Sequence, residues 1–127
     1  MRQLIQNATL VNDGRSYVAS VLIEGATISN IYEGKDTYPE GLLQEVDDLV
    51  QGEGLLLVPG CIDDQVHFRE PGLTHKATIE SESHAAIAGG TTSFMEMPNT
   101  KPPTTSLEAW QWKMQRAAET SWANYSF

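Results

Sequence analysis

Apolar and polar positions alternate through the first third of the chain, and the period then changes. Leu4-Ile5 and Thr9-Leu10-Val11 frame an extended segment that runs into the turn residues Asn12-Asp13-Gly14. Val21-Leu22-Ile23, the turn Glu24-Gly25-Ala26 and the alternating residues 27–31 predict a hairpin. Residues 34–41, with Asp36, Pro39 and Glu40, read as a polar loop. Extended structure is expected to resume at Val46 and to continue through Leu55-Leu56-Leu57-Val58. Residues 1–58 thus read as a small β module that carries no catalytic signal.

At Pro59 the texture changes. A strand is predicted over residues 61–68, ending in the loop Arg69-Glu70-Pro71-Gly72. A helix follows from about Thr78, an N-cap residue with Glu80 and Glu82 in the first turn, where the helix dipole favours acids. It places Ile79, Ala86 and Ile87 on one face and stops at Gly89-Gly90. Residues 91–97 predict a second strand and residues 98–103 a loop. Thr105 and Glu108 have capping-box spacing, and the helix they open sets Leu107, Trp110, Met114 and Ala117 on one stripe. A further strand begins in residues 123–127. Strand, helix, strand, helix, strand is the repeat of a parallel α/β architecture.

Composition narrows the function classes. A chain of 127 residues with 40% hydrophobic positions suffices for a core. Its formal charge of −9 argues against a nucleic-acid partner, which would want a basic patch. No segment resembles a signal peptide, and none reaches the roughly 20 apolar residues of a membrane helix, so no membrane partner is expected. The single cysteine, Cys61, can form no internal disulfide, which suits a cytoplasmic protein, and it reads as a small buried residue rather than a nucleophile.

Strand parity locates the candidate chemistry. Asp63, Gln65, His67 and Arg69 are expected on one face of the first barrel-type strand, with Asp64, Val66 and Phe68 on the other. On the second strand Ser93, Met95, Met97 and Asn99 share a face opposite Phe94 and Glu96. Arg69 and Asn99 would then emerge at the carboxyl ends of adjacent strands, where an Arg fork and an Asn amide suit a carboxylate ligand. His67 beside Asp63 is a candidate metal ligand. His75, after a loop, and His84, mid-helix, read as surface or structural residues. Asp64 and Glu96 face the helices, where a charge needs a partner that the sequence does not name.

Residues 59–72, Pro-Gly-Cys-Ile-Asp-Asp-Gln-Val-His-Phe-Arg-Glu-Pro-Gly, are similar to the first barrel strand of the dihydroorotases of the amidohydrolase superfamily. Residues 88–104, which include Gly89-Gly90-Thr91-Thr92 and Met97-Pro98-Asn99-Thr100, resemble the second strand. The resemblance implies a metal-dependent (β/α)8 barrel preceded by a β-sandwich module, with the module at residues 1–58 and the barrel opening at 59–127. It implies reversible interconversion of carbamoyl-aspartate and dihydroorotate in pyrimidine synthesis, one or two zinc ions, a small-molecule substrate and a homo-oligomer. Carried over by position, Arg69 and Asn99 match the substrate clamp and His67 a metal ligand. Asp63 is expected to be a ligand or to support one.

Allantoinases and hydantoinases share the glycine turn and remain the alternative within the class. Gln65 stands where the family usually has the first histidine of His-x-His, which keeps open a non-catalytic homologue with a scaffolding role. A (β/α)8 barrel takes about 250 residues. The resemblance implies a proton-shuttling Asp beyond residue 127, so no catalytic residue is assigned within this chain, and the 127 residues alone are expected to be inactive.

Overall fold

The three long strands of the computed structural model, which describes residues 1–127, follow the alternation of the sequence. Strand β1 (Arg2–Asn12) pairs antiparallel with β2 (Arg15–Glu24), and β2 with β3 (Thr27–Glu33). The hairpin predicted over residues 21–31 forms, and β1 and β2 make another across the Asn12-Asp13-Gly14 turn. The register slips between Ile5 and Ala8, where Asn7 adopts φ 57°. Asn7 holds this bulge through its side chain: Nδ2 donates to Asp36 Oδ1 at 2.7 Å, and Oδ1 accepts from the Asp36 amide at 2.9 Å.

The stretch expected to be extended from Val46 is broken up. A short helix α1 (Leu42–Glu45) precedes it, and β4 (Asp48–Gln51) and β5 (Leu56–Leu57) are separate strands, each parallel to β1. Gly52 bonds back to Gln6 and Leu55 bonds to Gly52, so a turn interrupts what would otherwise be one strand. Alternation along β1 and β2 divides the core between the two sheet faces. Leu4, Leu22 and Leu42 cluster on one, and Leu10, Ala19 and Val21 on the other.

The second compact unit, Gly60–Phe127, follows the unit Met1–Pro59. It consists of β6 (Cys61–Val66), α2 (Ile79–Ala88), β7 (Thr91–Glu96), α3 (Leu107–Thr120) and β8 (Asn124–Ser126). The strands form a parallel sheet in the order β6-β7-β8, which makes this an α/β unit. Thr78 caps α2 as expected, although its capping-box partner is the Ser81 hydroxyl. Phe68, Ile79, Phe94, Ala117 and Ala123 form the core, with the Phe68 and Phe94 rings 4.5 Å apart.

Several expectations fail here for local reasons. Strand β6 ends at Val66, so the two-residue period does not extend to Arg69, whose φ of 74° is left-handed. Cys61 is exposed rather than buried, because it opens an edge strand whose side chains lie uncovered. Asp64 is likewise exposed and needs no partner. The N-cap of α3 is Ser106, one residue beyond Thr105. The face of α3 that packs on the sheet carries Lys113 and Ala117, while Leu107 and Trp110 are exposed. On α2 the inward residues are Ile79 and Ser83, and Ile87 is 43% exposed. Ser83 earns its place through hydrogen bonding: its Oγ donates to the Glu80 carbonyl and accepts the Trp122 amide at 3.1 Å.

Candidate functional site

The carboxyl ends of β6 and β7 lie side by side, and the last link between them is the Met97 amide donating to the Val66 carbonyl at 3.0 Å. Just beyond that link, His67 Nδ1 lies 2.8 Å from Asn99 Oδ1. An amide oxygen only accepts, so Nδ1 is the donor of this pair, and in the neutral ring Nε2 then keeps its lone pair. The Asn99 NH2 group stays available as a donor. Two residues from separate strands are thereby brought together, and His67 receives a defined tautomer.

The loops that carry Arg69 and Asn99 are tied to each other. The Lys101 amide donates to the Pro71 carbonyl at 3.1 Å, and the Thr100 hydroxyl bonds to the Pro102 carbonyl and to Thr104. Gly72 (φ 81°) lies so close that a Cβ there would collide with the Lys101 carbonyl. Only a residue without a side chain allows this approach. The Arg69 guanidinium belongs to none of the chain's ion pairs, although the chain carries an excess of acids.

Beneath this surface lie two buried carboxylates whose roles sequence reasoning did not assign. Glu70 is 5% exposed; its Oε2 accepts the Ile79 amide at the start of α2 at 2.8 Å, and its Oε1 accepts Arg116 Nε of α3 at 2.9 Å. Glu96 faces the helices as its parity predicted, and its partner is Lys113, with both side chains at 0% exposure and Nζ 2.7 Å from Oε2. Neither of those two atoms has a further hydrogen-bond partner. Glu96 Oε1 accepts the amides of Phe68 and Arg69, each at 3.1 Å. Loss of solvation pushes the Glu96 carboxyl above its ordinary range, and Lys113 and the two amides offset part of that rise. A lysine inside a helical stripe was the available signal for this pair, but a hydrophobic pattern counts lysine as polar.

The remaining candidates are dispersed. Asp63 and Gln65 are exposed on β6, and Asp63 Oδ1 accepts the Gln65 amide at 3.1 Å. His75 is exposed in a turn, and His84 packs edge-on against Trp122 at 4.4 Å. No group of three His, Cys, Asp or Glu side chains stands close enough to hold a metal ion. A catalytic zinc takes about three protein ligands. One imidazole nitrogen, a carboxylate already engaged by an amide and a carboxamide fall short of that. An open apolar groove of about 210 Å3 in the first unit, walled by Ile5, Val21, Ile23, Ile28, Ile31 and Leu57, offers no titratable group.

Parallel strands joined by helices, with His67 and Asn99 in contact past their carboxyl ends and Arg69 on the adjoining loop, define an α/β unit that presents polar chemistry at one end of its sheet. Known proteins share both the sequence and the fold. A family model described as dihydro-orotase-like matches residues 54–126. The dihydroorotase of Wolbachia sp. subsp. Brugia malayi is 42% identical over 108 residues, which are 85% of this chain and 24% of that protein. The dihydroorotase of Bacillus subtilis is 38% identical over 124 residues, 95% of this chain and 27% of that one. Among solved structures, L-hydantoinase (dihydropyrimidinase) from Arthrobacter aurescens aligns with a TM-score of 0.85 at 26% identity, covering 97% of this chain and 26% of that one. D-hydantoinase (dihydropyrimidinase) from Thermus sp. aligns at 0.74 and 31% identity, covering 98% and 26%. This chain belongs to the dihydroorotase-like family. It spans about a quarter of the length of these relatives.

Proposed function

We propose that this chain is part of a cyclic amidohydrolase acting on the dihydroorotate and carbamoyl-aspartate pair, and that β6 to β8 open its (β/α)8 barrel. The observation that carries the reading is the contact of His67 with Asn99 past the ends of β6 and β7, with Arg69, which pairs with no acid, two residues after His67 on the loop that follows β6. Arg69 supplies a fixed positive charge and a donor fork, and the Asn99 NH2 supplies a further donor, which together suit a ring carboxylate. In an otherwise acidic chain these local donors attract an anionic substrate.

The role of His67 is to present Nε2. It is the residue here best suited to donate to a zinc ion, with Asp63 and Gln65 as its neighbours on the strand. Because that donor set is incomplete, the residues of this chain are assigned binding and orientation only. Asn99 Oδ1 holds the imidazole ring and leaves its NH2 group free to donate to substrate, so one side chain couples the clamp to the histidine.

The dihydroorotases share more sequence with this chain than the hydantoinases do, and Arg69 and Asn99 give a carboxylated ring a reason to be preferred. Ring opening by the full-length protein, measured side by side with dihydroorotate, hydantoin and allantoin, tests this. Preference for dihydroorotate is expected. Faster turnover of hydantoin or allantoin would refute the substrate assignment, and no turnover of any ring would favour the scaffolding role.

A further inference from the structure

Strand β6 stops bonding to β7 at Val66, yet the next three residues are the ones that matter for the site. Past the strand end, the Phe68 and Arg69 amides have no ladder acceptor. Both donate instead to one oxygen, Glu96 Oε1. The other oxygen of that carboxylate is held by Lys113, which reaches in from α3 and lies with its Nζ 4.9 Å from the centre of the Phe127 ring. Arg69 meanwhile sits at φ 74°, a conformation that a non-glycine residue keeps only where its surroundings impose it. The Phe68 ring packed on Phe94 and the Leu73 amide bonded to the Arg69 carbonyl supply part of that constraint. Glu96 supplies the rest.

We infer that the buried Glu96–Lys113 pair is a positioning device for the site, gripping the Phe68 and Arg69 amides so that His67 and Arg69 project toward the same ligand. Glu96 touches no substrate in this account. It acts through the backbone that carries the anion clamp, and Lys113 holds its other oxygen in place inside the core. The inference rests on the reading of Arg69 as a carboxylate clamp, and it adds a residue from outside the site to that clamp.

The test uses the full-length protein with three changes: E96Q, E96A/K113M and, as reference, R69A. Glutamine keeps an oxygen that can accept both amides but turns its NH2 group toward the Lys113 ammonium, whereas the double variant removes that acceptor together with the buried charge it would strand. Misplacing a binding group by about 1 Å can lower rates about a hundredfold, so E96A/K113M is expected to raise the dihydroorotate KM about tenfold or more. E96Q should restore that KM to within about threefold of wild type. With 5,6-dihydrouracil, the same ring without its carboxylate, the double variant should change KM little.

Amide exchange provides a readout independent of activity. Exchange at Phe68 and Arg69 should accelerate in E96A/K113M and stay slow in E96Q. Accelerated exchange with an unchanged dihydroorotate KM would reduce Glu96 to a structural residue and overturn the inference, as would slow exchange in the double variant. If the double variant fails to fold, E96Q decides through KM and exchange together: a KM raised as far as in R69A with slow exchange at Phe68 and Arg69, or fast exchange with an unchanged KM, refutes positioning by the amide acceptor. If R69A itself leaves the dihydroorotate KM unchanged, the clamp reading fails, whatever the exchange data say about Glu96.

Discussion

Removing the Glu70 carboxylate should weaken the α2–α3 region more than removing the arginine that pairs with it. Glu70 accepts the Ile79 amide, which opens α2 and belongs to a residue at 0% exposure, so in E70A that amide is left without a partner. A hydrogen bond to a charged group contributes about 1.5–3 kcal/mol. The same carboxylate faces the positive end of the α2 dipole, which adds about 0.5–1 kcal/mol at such a site. The expected loss in E70A is therefore about 2–4 kcal/mol. Arg116 is 32% exposed, and its side chain can turn to water when unpaired. R116A leaves the buried Glu70 Oε1 without that partner but keeps the bond to the helix start, so it should cost about 1–2 kcal/mol, less than E70A. E70Q should fall between the two, because one end of its amide would present an NH2 group to a donor. Unfolding of a protein with two compact units need not be two-state, so amide exchange at Ile79 and its neighbours is the suitable assay. A loss in R116A equal to that in E70A would refute the reasoning, since it would place the stabilisation in the ion pair rather than in the helix start.

Three further outcomes follow from the same geometry. Nitrogen chemical shifts of His67 should report a proton on Nδ1 and a free Nε2, and N99L should populate the other tautomer; an unchanged tautomer in N99L would show that Asn99 does not select it. G72A should destabilise its turn by about 1–3 kcal/mol, seen as faster exchange at Leu73 and Lys101. G90A should cost less, because Gly90 shares the positive φ but a Cβ there meets nothing, and equal effects would contradict the contact argument. For Glu96, a carboxyl raised in the folded state binds its proton more tightly there than in the unfolded chain. Its contribution to stability is therefore full below about pH 4.5 and declines as pH rises through the raised value. E96Q should remove that decline from the pH dependence of unfolding, and an identical profile would contradict the assigned direction.

What the sequence made legible follows from which interactions are local. Alternation placed the strands of the first unit, because each hairpin is closed by its own turn residues. Thr78 was readable as a cap because its hydroxyl serves an amide three residues on. Parity on β7 put Phe94 and Glu96 inward, since a strand imposes its period wherever it stays regular. The end of β6 was not legible. It depends on Glu96, 27 residues away from the Arg69 amide it accepts, and no local pattern announces a carboxylate that takes over from a strand ladder. The register of α3 was missed for a related reason. The buried Lys113, whose partner Glu96 lies on another element, breaks the apolar stripe that would have oriented the helix. Cys61 was misjudged because cysteine is usually buried, while the edge of β6 is open.

The central claim is that Arg69, with Asn99, selects a carboxylated ring. The most direct measurement is the change in kcat/KM on R69A for dihydroorotate and for 5,6-dihydrouracil, in the full-length protein. Loss of a charge-assisted contact of about 2–3 kcal/mol corresponds to a fall of about 30–150-fold for dihydroorotate, with little change for the ring that has no carboxylate. Equal losses for the two rings, or none for dihydroorotate, would contradict the claim.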